Sequence, residues 1–327
     1  YGDKPLTINA VSFAESAWGD KIKPETSQMV TFSGNRSITI PPGESVVSDT
    51  LSFKLKALTN MAITTYFGNV PQALTGHPGS RTTSYIEQGD AIDSIALPLA
   101  KTTERWYVIS GIDILTEDPS TLAVVTLGDS ITDGRGSITN KNNRWPDNLA
   151  NRLQGNPTTS NIAVLNHGIG GNSVLSGGLG PTVFSRFERD VLEQSGVGYL
   201  IILAGVNDLG AANASMATAK DLISAYKMFI NKGREKGILV YGGTILPFGG
   251  SGYYSPLREE LRQSVNEWIR TSGQFDAVID FDLALRDPDE PIRLLSIYDD
   301  GDYLHPSAEG YRKLGDVIDL TLFGAEN

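Results

Sequence analysis

Four short segments carry side chains that together could transfer an acyl group to water: Gly128-Asp129-Ser130-Ile131-Thr132, Asn166-His167-Gly168-Ile169-Gly170-Gly171-Asn172, Ala204-Gly205-Val206-Asn207-Asp208 and Asp302-Tyr303-Leu304-His305-Pro306. A serine hydroxyl is a weak nucleophile until a base takes its proton, and that base must be held in one tautomer by a third group. Ser130, His305 and Asp302 fit these roles. Acyl transfer also develops an oxyanion, which needs preorganised donors. The backbone N–H groups of Ser130 and Gly171 and the side-chain amide of Asn207 are assigned to it. Glycine at 171 lets the backbone approach a substrate, and an amide at 207 can donate where Asp or Leu could not.

Only three histidines exist, so the base is a choice among His77, His167 and His305. His77 falls in a Gly/Pro turn and reads as a solvated loop residue. His167 reads as a packed or pocket-lining side chain, although it remains a second candidate base. Asp302, three residues before His305, is placed for one short turn to bring carboxylate to imidazole. Its plain alternative is a solvated loop acid, the reading given to Asp299 and Asp300. If His305 is the base, activity falls as it protonates, roughly below pH 6 to 7. Asp129, Asp133 and Asp208 adjoin the segments but more often fix loop geometry through backbone hydrogen bonds, so they stay outside the catalytic set.

Other chemistries find less support. The run Gly168-Ile169-Gly170-Gly171-Asn172-Ser173 has serine where a dinucleotide fingerprint needs its third glycine. There is no Gly-x-Ser-x-Gly elbow, and Ser224-Ala225-Tyr226-Lys227 falls inside an expected helix without accessory motifs. The pairs Glu259-Glu260 and Asp287-Asp289 read as solvated faces rather than glycosidase carboxylates. No His/carboxylate spacing suggests a metal, and no cofactor is called for.

The elements that must position these groups follow from hydrophobic patterning. Apolar runs at 122–127, 163–165, 200–203, 238–241 and 277–279 alternate with amphipathic stretches near 145–154, 182–194, 215–236, 256–271 and 307–322. Alternation of this kind predicts a parallel sheet covered by helices on both faces. Three of the four chemical segments directly follow such a strand and the fourth precedes the last helix, so all should gather on one rim, where open parallel sheets bind ligands. Before residue 118 the texture differs. Short alternating runs at 31–32, 38–40, 51–55 and 61–67, punctuated by turn formers, predict an antiparallel β-sandwich-like domain over 1–117. The linker is placed near Glu117-Asp118-Pro119 and the α/β domain at 118–327. Because Leu6-Thr7-Ile8 opens the chain almost inside a strand, partner strands are expected upstream. Trp18, Tyr66 and Trp106 are read as core or edge residues rather than a carbohydrate platform.

The 327 residues contain 27 Lys and Arg against 38 Asp and Glu, a formal charge of -11, with no basic cluster to meet a phosphate backbone. Nucleic acid is therefore not an expected partner. No apolar stretch reaches the roughly 20 residues of a membrane helix, so no membrane insertion is expected. Zero cysteines exclude a disulfide scaffold, a thiolate metal site and a cysteine nucleophile. The sequons Asn35-Arg36-Ser37 and Asn213-Ala214-Ser215 lean towards secretion.

In order and content, the four segments resemble the blocks of the SGNH, or GDSL, hydrolase superfamily, over roughly residues 122–320. The resemblance implies a flavodoxin-like parallel sheet, a serine carboxylic ester hydrolase working through an acyl-enzyme, and no cofactor. Features from Trp145-Pro146 through Phe248-Gly249-Gly250-Ser251 to the strand Asp276–Phe281 look closest to microbial members with a β-rich N-terminal region that deacetylate polysaccharides. That points to an acetylated polysaccharide or small ester as substrate. Two other readings stay open: a lipase or thioesterase for longer acyl chains, and a carbohydrate-binding protein with a vestigial hydrolase domain. The loop Phe248–Tyr254 is either a pocket wall or a plain Gly-rich connection.

Overall fold

The computed structural model describes residues 2–324, and the chain divides into two compact units, Tyr1–Ile112 and Asp113–Asn327. The first is built on one long strand, β1 (Leu6–Trp18), in which Leu6, Ile8, Ala10 and Ala14 are buried. Its antiparallel partners among the described residues are β2 (Lys21–Ile22), β3 (Gln28–Val30), β4 (Ile38–Ile40) and β5 (Met61–Phe67), the last pairing along Ile8 to Glu15. Two antiparallel ribbons complete it, β6 (Gly76–Pro78) with β9 (Arg105–Tyr107) and β7 (Ser84–Ile86) with β8 (Lys101–Thr103).

Three expectations need correction here. Residues 51–55 alternate but form no strand; Phe53 packs edge-on against Phe13 at 4.9 Å between ring centroids, so the pattern reflects half-burial without a ladder. Trp18 is not core: it is 67% exposed at the end of β1, with Lys21 Nζ 4.8 Å from its ring centre. His77 is no solvated turn residue but lies in β6 with its ring edge-on to Trp106 at 5.3 Å.

In the second unit five strands, β10 (Leu122–Gly128), β11 (Ile162–Gly168), β12 (Val197–Leu203), β13 (Leu239–Gly243) and β14 (Ala277–Ile279), pair in parallel in the order β11-β10-β12-β13-β14. This is the doubly wound, flavodoxin-like order, and its direction of winding reverses between β10 and β12. The apolar runs are continuous because both faces are covered: Val124, Val125, Leu127, Leu200 and Ile201 have no exposed surface.

Eight helices flank the sheet among the described residues: α1 (Ser130–Asp133), α2 (Trp145–Gln154), α3 (Val183–Phe187), α4 (Val206–Gly210), α5 (Met216–Glu235), α6 (Pro256–Thr271), α7 (Phe281–Leu285) and α8 (Ala308–Asp316). In one layer α2 and α7 pack on α8; in the other α5 packs on α6. Burial follows helical spacing: Trp145, Leu149 and Leu153 in α2; Leu222, Ala225, Tyr226, Phe229 and Ile230 in α5. Each large apolar side chain so buried stabilises by about 1.5–3 kcal/mol. Serine side chains start two of these helices, Ser255 accepting from the Arg258 N–H and Ser307 from the Gly310 N–H. The stretch expected as one helix at 182–194 is α3 followed by a π-helical turn, Glu188–Leu192. That expected at 307–322 is α8 and then a 3-10 turn, Leu320–Phe323. Among the described residues no helix is long and apolar enough to cross a membrane.

A buried ion cluster fastens α6 to α7. Asp282, fully buried, accepts from Arg262 at 2.8 Å and Arg270 at 2.6 Å, and Arg262 also pairs with Glu259 at 2.7 Å. Glu259 is thus a buried partner, not the solvated acid its sequence context suggested, whereas Glu260 is exposed. Removing one member of a buried pair leaves the other charge uncompensated. Asp282→Asn should therefore lose about 3 kcal/mol of unfolding free energy, read as a lower urea midpoint.

Candidate functional site

Strand β10 ends at Gly128, where a Cβ would stand 2.1 Å from Thr132 Oγ1 and 2.5 Å from the Leu203 carbonyl oxygen. Only glycine lets α1 fold down this closely over the strand ends. Asp129 caps that turn, its carboxylate accepting from the Ile131 N–H at 3.0 Å. The turn delivers Ser130, 7% exposed, to the carboxyl rim of the sheet.

From the far end of the chain comes the loop before α8. Asp299 accepts from the N–H groups of Gly301 and Tyr303, and Asp300 donates its N–H to the His305 carbonyl. Asp302 bonds His305 twice: Oδ1 accepts from the His305 N–H at 2.8 Å, and Oδ2 lies 2.7 Å from Nδ1. A carboxylate can only accept, so Nδ1 carries the imidazole proton and Nε2 is left as an acceptor. Nε2 lies 2.8 Å from Ser130 Oγ. Ser130, His305 and Asp302, 175 residues apart at the extremes, form one hydrogen-bonded chain.

The electrostatics suit a neutral base. Burial pushes the His305 imidazole below its ordinary value, and the Asp302 carboxylate only partly restores it. Burial pushes Asp302 up, but bonds from the His305 N–H and ring more than offset this and hold it below the usual carboxylate range. His167 sits otherwise: its Nδ1 is 3.8 Å from Asp190 Oδ2 and its carbonyl accepts from Arg186. Within the second unit the structure brings His305, not His167, to Ser130.

The remaining expected donors lie on two loops tied to each other. Gly171, at φ +68°, leads into Asn172, whose carbonyl accepts from Asn207 Nδ2 at 2.8 Å. Asp208 grips the same loop, accepting from the N–H groups of Val174 at 2.8 Å and Leu175 at 2.9 Å. Register sets the two loops beside Ser130: Gly128 pairs with Gly168 on one side and Leu203 on the other. The crevice at the winding reversal therefore has Ser130 on one strand end and Asn207 on the next.

Three residues of this assembly were not singled out in the sequence. Arg186, 1% exposed, donates to the carbonyls of Gly128 and His167, to Asn172 Oδ1 and to Asp190. Asn172 donates to the Leu179 and Pro181 carbonyls. Tyr253 donates from its hydroxyl to Asn207 Oδ1 at 2.8 Å. The spacing of Arg186 and Asp190, four apart in an amphipathic stretch, looks like an ordinary surface ion pair; nothing local marks it as buried. Burial also pushes Asp129 up to about 7, with Asp208 adding to the rise and the Ile131 N–H and Arg186 opposing it.

Residues 126–313 match the family model of the GDSL-like Lipase/Acylhydrolase family. Among curated protein sequences none matches the chain. Solved structures similar to it include a protein described as lipolytic, of the G-D-S-L family, from Desulfitobacterium hafniense (25% identity, 60% of this chain and 96% of that one, TM-score 0.47). A GDSL-like lipase from Bacteroides thetaiotaomicron (19%, 62% and 89%, 0.44) and an acetylxylan esterase from Geobacillus stearothermophilus (20%, 63% and 95%, 0.46) are two more.

Only neutral His305 can take a proton, and its lowered pKa keeps it neutral to lower pH. The acid limb of kcat/KM on p-nitrophenyl acetate should thus lie below the ordinary histidine value of about 6.5. A limb above 6.5 would contradict the buried geometry.

Proposed function

Because this chain belongs to the GDSL-like lipase/acylhydrolase family and is a carboxylic ester hydrolase, we propose that Ser130 is its nucleophile, His305 its general base and acid, and Asp302 the group that orients His305. The observation that carries this assignment is the 2.8 Å and 2.7 Å hydrogen-bond chain from Ser130 Oγ through His305 to Asp302.

Ser130 Oγ attacks the ester carbonyl carbon as His305 Nε2 takes its proton. The carbonyl oxygen becomes an oxyanion, which the N–H groups of Ser130 and Gly171 and the Nδ2 of Asn207 receive. As the tetrahedral intermediate collapses, the bond to the leaving alcohol breaks and His305 returns the proton to that oxygen. Water then repeats the sequence on the acyl-enzyme, releasing the acid and restoring Ser130. Asp302 stays ionised throughout and stabilises the imidazolium. Ser130→Ala should lower kcat for p-nitrophenyl acetate by at least about 10,000-fold with an unchanged melting temperature; residual activity near wild type would reject Ser130.

For the natural substrate we infer acetyl esters of a polysaccharide, which would set the enzyme to work outside the cell. What supports this is the polar surface around Tyr303, on the loop that carries His305. Tyr303, between Asp302 and His305, is 46% exposed and borders a cavity of about 330 Å³ lined also by Asp287, Glu290, Arg293, Ser296 and Asp299. An exposed ring beside carboxylates and a guanidinium suits a hydroxyl-rich leaving alcohol better than an apolar one. Leu179, 67% exposed against Gly171, favours the competing reading of a longer acyl chain. A p-nitrophenyl ester series from acetyl to palmitoyl separates them: kcat/KM should be highest for acetyl, and a rise towards palmitoyl would favour the lipase reading.

A further inference from the structure

Asn207 is held at both ends of its amide. Nδ2 donates to the Asn172 carbonyl at 2.8 Å, and Oδ1 accepts from the Tyr253 hydroxyl at 2.8 Å. An amide nitrogen carries two hydrogens, so one is spent on Asn172 and one stays free. Turning the amide over would set Oδ1 against the Asn172 carbonyl, two acceptors facing each other, and would leave the nitrogen pointing at the phenol. The Asn172 carbonyl thereby decides which end of the amide faces it, and the Tyr253 hydroxyl fixes the other end and the plane.

We propose that Tyr253 is a positioning residue for the oxyanion site: its hydroxyl locks the Asn207 amide in the orientation that presents the free Nδ2 hydrogen to the developing charge. This rests on the reading of Asn207 as an oxyanion donor. Two consequences of the bond act together. It restricts rotation of the amide plane, so the donor is aimed before substrate arrives, and it draws electron density to Oδ1, which strengthens the N–H groups as donors.

The surroundings of Tyr253 are built to keep the phenol there. Its ring lies over Gly210 at the end of α4, the same short helix that carries Asn207; a Cβ at 210 would stand 2.1 Å from Tyr253 Cδ2 and 2.4 Å from Cγ. Residue 210 has no room for a side chain while the ring is in place. The loop is pinned on both sides, the Tyr253 N–H donating to Ser251 Oγ at 3.2 Å and its carbonyl accepting from Arg258 at 3.1 Å. Ser251 in turn donates to the Phe248 carbonyl at 2.7 Å. Burial, helped by Asp129, raises the phenol above its ordinary value, so the hydroxyl keeps its proton and donates at neutral pH.

The test is a double-mutant cycle on p-nitrophenyl acetate hydrolysis with the wild type, Tyr253→Phe, Asn207→Ala and the double variant, each checked by thermal melting. Asn207→Ala should lower kcat on the order of 100-fold. Tyr253→Phe should lower kcat about fivefold with KM within about twofold of wild type, since the bond serves a donor used in the transition state. In the Asn207→Ala background the same change should alter kcat less than about twofold, because no amide is left to orient. Gly210→Ala, which displaces the ring without removing the hydroxyl, should lower kcat in the same Asn207-dependent way. An equal fall in both backgrounds, or a Tyr253→Phe enzyme with wild-type kcat, would overturn the positioning role and leave the oxyanion reading standing. Undiminished kcat in Asn207→Ala would remove that reading and the role of Tyr253 with it.

Discussion

A guanidinium buried among carbonyls is the constraint on which the second unit's working edge depends. Arg186 is almost wholly shielded from solvent; its hydrogens go to the Gly128 and His167 carbonyls at the ends of two neighbouring strands, to the Asn172 side chain and to Asp190. A buried charge is tolerated only when its donors are met, so the strand ends, the loop that follows β11 and the π-helical turn must agree on one geometry. Burial pulls the Arg186 guanidinium below its ordinary value, and Asp190 works against that fall. Asp190 is itself held well below the usual carboxylate range, because the nearby His167 ring and the hydrogen bonds from Arg189 and Arg186 outweigh its burial. The Ser130 turn and the loop after β11 share this one anchor, which is why neither can shift alone.

The carboxylates of the site are sorted by what they touch. Asp302 is half-exposed and doubly bonded to His305, so it remains an anion beside an imidazole kept neutral by burial. Asp129 and Asp208 lie deeper and accept from backbone N–H groups, Asp129 from the Ser130 turn and Asp208 from the loop after β11, and burial raises both. These acids thus divide into one that holds an imidazole and two that shape backbone. The sequence already separates them, Asp302 by its three-residue spacing from His305 and Asp129 and Asp208 by the tendency of such acids to bond nearby backbone; burial adds why the latter two are raised.

Much of the second unit could be read from its residues. The strands β10 to β14 announced themselves as apolar runs because a doubly covered parallel sheet leaves no polar face, and the chemical segments followed because they sit where those runs stop. The first unit was harder. Residues 51–55 alternate like a strand, yet Phe53 meets Phe13 without a ladder; alternation reports burial on one side, not hydrogen bonding. Glu259 and Arg186 escaped for a related reason: charged side chains at helical spacing look solvated until tertiary partners 20 or more residues away are in view, as with Asp282 for Arg262. Tyr253 lies 46 residues from Asn207, and a Gly-rich loop offers no periodicity from which its direction could be derived.

The order of strands across the sheet also governs how the protein comes together. Adjacent strands are never joined by a hairpin: β10 pairs with β11 some 40 residues on, and with β12 beyond a second helical connection. Contacts of such sequence separation are slow to form, because the loop entropy must be surrendered before they reward it. The hydrogen-bonded pair Ser130 and His305 is more remote still, at a sequence separation of 175. No contiguous fragment short of nearly the whole α/β unit holds both, so the hydrogen-bonded chain from Ser130 to His305 forms only once the loop before α8 has met the end of β10.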